Sequence, residues 1–135
     1  MNSFPLKIVT PDGLQFDGQA EELIVRTTTG DIGILAGHIN CVAPLGMGQA
    51  MVLTEGQKRY AACIGGMLSV VDGAVALVPT TFEWEDTIDL ARAENSESRA
   101  KQILNDKSAS DTDIRLAEAR LKRALVRKSV ATRTK

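Results

Sequence analysis

The chain has 135 residues, 44% hydrophobic, 24% charged and 4% aromatic, which fits one compact domain or a small domain with an appendage and excludes a large multidomain enzyme. Its apolar runs break at Gly, Thr or charge well short of the roughly 20 residues a membrane span needs, and no basic stretch followed by an apolar one opens it, so it reads as soluble, unprocessed and cytosolic. Sixteen Lys and Arg against seventeen Asp and Glu give a net charge of -1, which argues against attraction of the whole molecule to nucleic acid or an anionic membrane.

In chain order, short β-rich segments come first. Pro5 to Val9 ends at the turn signal Pro11-Asp12-Gly13; Leu14, Phe16 and Gly18 alternate with Gln15 and Asp17; Leu23 to Arg26 leads to a Thr-Thr-Thr-Gly-Asp tip at 27–31. Met51 to Leu53 and Tyr60 to Ile64 flank Glu55-Gly56-Gln57, and Met67 to Val71 and Ala74 to Val78 flank Asp72-Gly73, both hairpin signals. The stretch predicts eight to ten strands in a sandwich, with Cys41 and Cys63 as buried, reduced strand thiols. Beside a single histidine, His38, these cysteines match no metal-ligand spacing.

Composition changes near residue 85. All eleven glycines, four prolines and five aromatics precede it. Residues 1–86 carry four basic and ten acidic side chains, and residues 87–135 carry twelve and seven. We therefore read two domains, 1–86 and 87–135. The second predicts two helices: one capped by Thr87 and running to about Leu104, with Ala93, Ala100, Ile103 and Leu104 for burial, then a polar loop over 105–110. The second helix follows the cap Ser110-Asp111-Thr112-Asp113, with Ile114, Ala117, Leu121, Ala124 and Leu125 on one face. So short a loop favours an antiparallel hairpin, and alanine-rich faces bury too little area to hold it firmly, which is the profile of a switch.

Catalytic constellations are missing from the sequence: it has no Gly-x-Ser-x-Gly, no phosphate-binding loop of the Walker type and no Cys/His cluster. The glycines of Gly30 to His38 do not follow dinucleotide spacing, and the segment reads as a tight corner between strands. An enzyme active site is not expected.

Gly30-Asp31-Ile32-Gly33 followed by Gly37-His38, then Gly65-Gly66-Met67-Leu68-Ser69-Val70, then Ile88-Asp89-Leu90-Ala91-Arg92-Ala93 and a basic closing helix, resembles in order and spacing the epsilon-subunit family of F-type ATP synthases. Asn40 stands where that family often has proline, and Pro79-Thr80 where it usually has Ala-Asp. The resemblance runs from about Leu6 to Val130 and implies a ten-stranded β-sandwich followed by an antiparallel two-helix hairpin. The implied protein is a non-catalytic rotor subunit, bound to gamma and resting on the c-ring at the cytoplasmic face of the bacterial plasma membrane. It would restrain ATP hydrolysis through a mobile hairpin. Thr28, Thr29, Gly30, Asp31 and His38 would then belong to the surface facing gamma and the c-ring. Arg115, Arg120, Lys122, Arg123 and Arg127 would meet acidic segments of the catalytic beta and alpha subunits when the hairpin extends.

In some bacterial members the resemblance also implies ATP as a regulatory ligand, with no cofactor required. The residues concerned here are Ile88, Asp89, Arg92, Ala93, Arg99, Arg123 and Arg127. On an ideal helix Ile88, Arg92 and Arg99 fall within about a 40° sector, Asp89 is placed to accept from an adenine amino group, and Arg123 and Arg127 are i,i+4 neighbours with Arg120 on the same stripe. The plainer alternative is a surface pair of Asp89 with Arg92, worth about 0.2 to 0.5 kcal/mol. A different alternative is a small cytosolic nucleic-acid-binding adaptor, since residues 114–135 hold eight Lys or Arg and one acidic residue, Glu118. Against it, no aromatic residue for stacking lies in that basic segment.

Overall fold

In a computed structural model, which describes residues 2–133, the chain forms ten strands, a short 3-10 turn and two helices. It divides into two compact units, Met1–Glu85 and Asp86–Lys135.

The first unit is a sandwich of two five-stranded sheets. One has the order β2(Gly13–Ala20), β1(Phe4–Thr10), β9(Ala74–Val78), β8(Met67–Val71), β5(Cys41–Pro44); the other has β10(Thr81–Trp84), β7(Gln57–Ile64), β6(Met47–Thr54), β3(Glu22–Thr27), β4(Gly30–Leu35). All neighbours are antiparallel except β1 and β9, which run parallel. Period-two alternation explains the layers: Phe4, Leu6 and Ile8 point inward while Pro5 and Lys7 are exposed. Leu6, Ile8, Leu23, Val25, Ile34, Val52, Leu68, Val70 and Leu77 make the fully buried centre.

The segment read as a tight corner is mostly strand. Asp31 and Gly33 alternate with Ile32 and Ile34, so Gly30–Leu35 pairs with β3 residue for residue, and the turn comes only at Ala36 and Gly37. The Asp72-Gly73 hairpin forms with both residues at positive φ. Asn40 holds it from outside, its Oδ1 accepting the Asp72 backbone N–H at 2.8 Å. Gly66 has φ +95°, and a Cβ there would meet the Val78 carbonyl and stand 2.6 Å from Pro79 Cα, so only glycine fits this close approach. Both cysteines are free strand residues; Cys63 is buried, whereas Cys41, expected buried, is half-buried.

The second unit is a helical hairpin, α1(Leu90–Leu104) and α2(Asp111–Ala131). The first helix is capped at Asp89 rather than at Thr87, which lies in the 3-10 turn Glu85–Thr87. Aspartate caps better than threonine, and the Asp89 Oδ1 accepts the Arg92 backbone N–H at 3.0 Å. Ser110 caps α2 in a reciprocal box with Asp113. Between the helices Asp106 accepts both the Ser108 hydroxyl and the Ser108 backbone N–H, at 2.7 and 2.9 Å, and these bonds lower its carboxyl pKa. Ala93, Glu97 and Ala100 are the buried residues of α1, and Ala117, Ala124 and Val130 those of α2. Ile103, Leu104, Ile114 and Leu121 are half-buried; Leu125, expected on the inner face, sits one position past Ala124 and is exposed.

Candidate functional site

The hairpin carries the densest set of cations. Ala93 and Ala100 form one small-residue stripe on α1, Ala117 and Ala124 another on α2. Arg92, Arg99 and Arg123 each stand immediately before a buried alanine, and so lie about 100° around the helix from it, in the same rotational sense. Arg127, three positions after Ala124, and Arg120, four before it, are turned the same way by about 60° and 40°. In an antiparallel pair, residues displaced in the same sense from the facing stripes emerge on one side of the pair. The hairpin thus gathers Arg92, Arg99, Arg120, Arg123 and Arg127 on one side, with Arg123 and Arg127 half-buried and the other three exposed.

Not every residue assigned to this group belongs there on the same terms. Ile88 precedes the N-cap, so the helical phase that aligned it with Arg92 and Arg99 does not apply; it is half-buried before the helix begins. Ala93 is buried in the small-residue seam and offers its methyl to packing rather than to a ligand. The Asp89 carboxylate is committed through Oδ1 to the helix N-terminus, where it accepts the Arg92 backbone N–H, a contact that neither the ligand reading nor the alternative surface pair anticipates. Arg115 and Lys122 lie on the outer side of α2, away from the other three basic residues read with them, and are exposed.

One part of the hairpin was not legible as a site. Glu97 Oε2 is 2.9 Å from Lys101 Nζ, and its Oε1 is 3.1 Å from Lys128 Nζ on the opposite helix. Hydrogen bonds from Lys101, then Lys128, hold the carboxyl below the usual glutamate range. The i,i+4 spacing of Glu97 and Lys101 was visible in the sequence, but not the partner 31 residues away.

In the sandwich, Thr28 and Thr29 make the turn between β3 and β4, tied down by Thr27, whose hydroxyl donates to the Gly30 carbonyl at 2.7 Å and accepts the Thr29 N–H at 3.2 Å. Asp31 is the second residue of β4 rather than part of the tip, and it pairs with Arg26 directly across the ladder, Nε to Oδ1 2.7 Å. His38 is half-buried in the turn after β4, with Nδ1–H donating to the Ile39 carbonyl at 2.8 Å. Near it in sequence, Leu35, Ile39 and Val42 are 57, 77 and 65% exposed, which the strand pattern alone did not reveal. Among the described residues no helix is long and apolar enough to cross a membrane.

A β-sandwich domain followed by a helical domain is the order that comparison with known proteins returns. Residues 3–85 match the beta-sandwich domain of the ATP synthase delta/epsilon chain, and residues 86–132 its long alpha-helix domain. The chain therefore belongs to the ATP synthase delta/epsilon chain family. Within it, the chain is 41% identical to the ATP synthase epsilon chain of Ruminococcus albus over 98% of its own length and 99% of the relative's. It is 43% identical to that of Bacillus velezensis, over 97% and 98%. Among solved structures it superposes on a chain of the Euglena gracilis mitochondrial ATP synthase, OSCP/F1/c-ring in rotational state 1, with a TM-score of 0.78 at 24% identity, covering 89% of this chain and 76% of that one. At that identity the likeness speaks for the fold.

Proposed function

We propose that this chain is the epsilon subunit of a bacterial F-type ATP synthase, a non-catalytic part of the central stalk that turns with gamma and the c-ring. The observation that carries this reading is the match of both domains in sequence, in order and over nearly the full length, to bacterial epsilon chains. The sandwich is the permanent contact. Exposed Leu35, Ile39 and Val42, close to His38 in sequence, supply apolar area that a monomer would otherwise leave to water, and the Thr28–Thr29 turn, with Gly30 and Asp31 at the start of the strand that leaves it, supplies a polar, ordered surface for the c-ring. As part of the assembled enzyme the subunit works at the cytoplasmic face of the plasma membrane. The relatives named above are ATP synthase chains, which leaves the nucleic-acid adaptor without support.

The hairpin is the regulated part in this reading. Its five arginines on one side are suited to a polyphosphate, which guanidinium groups bind by charge-assisted and bidentate hydrogen bonds. ATP held there would favour the compact hairpin and oppose an extended state whose basic helix engages acidic segments of the catalytic head and slows hydrolysis. A ligand specific to one state shifts the balance by about 2.7 kcal/mol at a hundredfold excess over Kd.

The test is in two parts. The chain should co-purify with gamma and the c-ring and show no ATP hydrolysis alone; robust hydrolysis by the pure chain, abolished by a point substitution in it, would defeat the stalk reading. Calorimetric titration with ATP should give saturable heat, and its absence at millimolar nucleotide would leave regulation to subunit contacts alone.

A further inference from the structure

The small-residue seam of the hairpin is interrupted by one charged side chain. Glu97 follows Ala93 by four residues and precedes Ala100 by three, on the same stripe, and is 9% exposed. Its carboxylate has one partner on its own helix, Lys101, and one on the other, Lys128. We propose that the Glu97–Lys128 bridge is a latch that fixes the two helices in one register and thereby holds Arg99, Arg123 and Arg127 together as a single anion-binding side. The ligand in this statement rests on the nucleotide reading above; the latch does not.

Alanine methyls set register poorly. They are too short to interdigitate deeply, and each buries little area, so one turn of sliding costs the seam little. A charge pair behaves differently. Displacing α1 along α2 by one turn, about 5.4 Å, takes Glu97 out of reach of the Lys128 ammonium and leaves a largely buried carboxylate with half its partners. The contact also ties the middle of α1 to the C-terminal part of α2, the part that carries Arg123 and Arg127.

Two features make the latch releasable and unobtrusive. Lys101 stays with Glu97 when the helices part, because the two are i,i+4 neighbours on one helix, so opening does not strand an isolated carboxylate. Glu97 and Lys128 also each stand four positions after a seam alanine, which turns them opposite to the arginines. The latch therefore does not occupy the side where an anion would sit.

The experiment uses the full chain with Cys41→Ser, and spin labels on Ser98→Cys and Ser129→Cys, both exposed, each directly following one residue of the bridge on its own helix. Pulsed electron resonance should give one narrow distance for the parent, for Lys101→Met and for Lys128→Arg. Lys128→Met keeps the aliphatic stem but loses the charge, and should broaden the distribution to longer distances, as should Glu97→Gln. If Lys128→Met and Glu97→Gln both keep the parent distribution, the latch is refuted. In calorimetry with ATP, Lys128→Met should raise Kd about fourfold, the change expected if the closed fraction falls to about one quarter. Broadening with unchanged Kd overturns the positioning of the arginines. Broadening in a protein whose parent takes up no ATP means that the nucleotide reading fails while the latch stands.

Discussion

Arg26 and Asp31 face each other across the β3–β4 ladder, and the stem of Arg26 lies over Gly48, where a Cβ would stand 2.6 Å from Arg26 Cβ and 3.0 Å from its Cγ. The missing side chain on β6 is what gives the arginine room to reach its partner. The colliding atom belongs to the root of the arginine, not to its flexible end, so an added methyl cannot be accommodated by a simple swing of the guanidinium.

Gly48→Ala should therefore lower the stability of the sandwich by about 1 to 3 kcal/mol, the usual cost of forcing atoms into a filled space. Arg26→Ala should cost less, because the ion pair is half exposed, and exposed pairs contribute about 0 to 1 kcal/mol. Urea unfolding of the two variants tests the order; a larger loss for Arg26→Ala would show that the pair, not the space, dominates.

Asp89 serves the helix before it serves any ligand. Asp89→Ala should weaken α1 by about 1 kcal/mol with or without nucleotide, whereas Asp89→Asn, which caps as well, should be near neutral for stability. A fall in ATP affinity in the asparagine variant then reports the carboxylate's part in binding. Far-UV circular dichroism and calorimetry on the same pair of variants separate the two effects.

Burial pushes the Cys63 thiol up to about 12, so at pH 8 only about one part in ten thousand is thiolate, and the strand shields it as well. Half-buried Cys41 should take up iodoacetamide in the native protein while Cys63 waits for unfolding. Mass spectrometry should find one modification before denaturant and two after. Prompt double modification would contradict the sandwich core.

Because Glu97 is held below its ordinary value of 4.5, its stabilising contribution is complete above that pH and is lost as pH falls through the lower folded value. Acidification below about pH 4.5 should loosen the hairpin. The Glu97→Gln variant should lose this part of the acid response, which helix content or label distance followed against pH would reveal.

Much of the organisation follows from local rules that sequence states directly. Short β-rich runs bounded by turn residues placed β1, β8 and β9, glycine and aspartate placed the hairpin turns at 55–57 and 72–73, and the loss of glycine, proline and aromatic residues beyond 84 announced helices. The Ser110 cap and the polar loop before it were equally legible, because a cap is a contact between residues three apart. Misreadings arose where two local signals competed. Thr87 and Asp89 both offer a cap, and the stronger acceptor wins; Gly30 to His38 is rich in turn residues, yet Ile32 and Ile34 alternate, and burial of Ile34 commits the segment to β4.

Contacts distant in sequence required the fold itself. The spacing of Ala93 from Ala100 and of Ala117 from Ala124 gives two stripes, but only packing of α1 on α2 brings the arginines beside them to one side. No pattern in the chain assigns Lys128 to Glu97 or places the Arg26 stem over Gly48. Secondary structure is written in residues a few positions apart, where backbone geometry fixes the spacing. Salt bridges across helices and glycines that make room for another strand depend on register, which is settled only when every buried side chain packs at once.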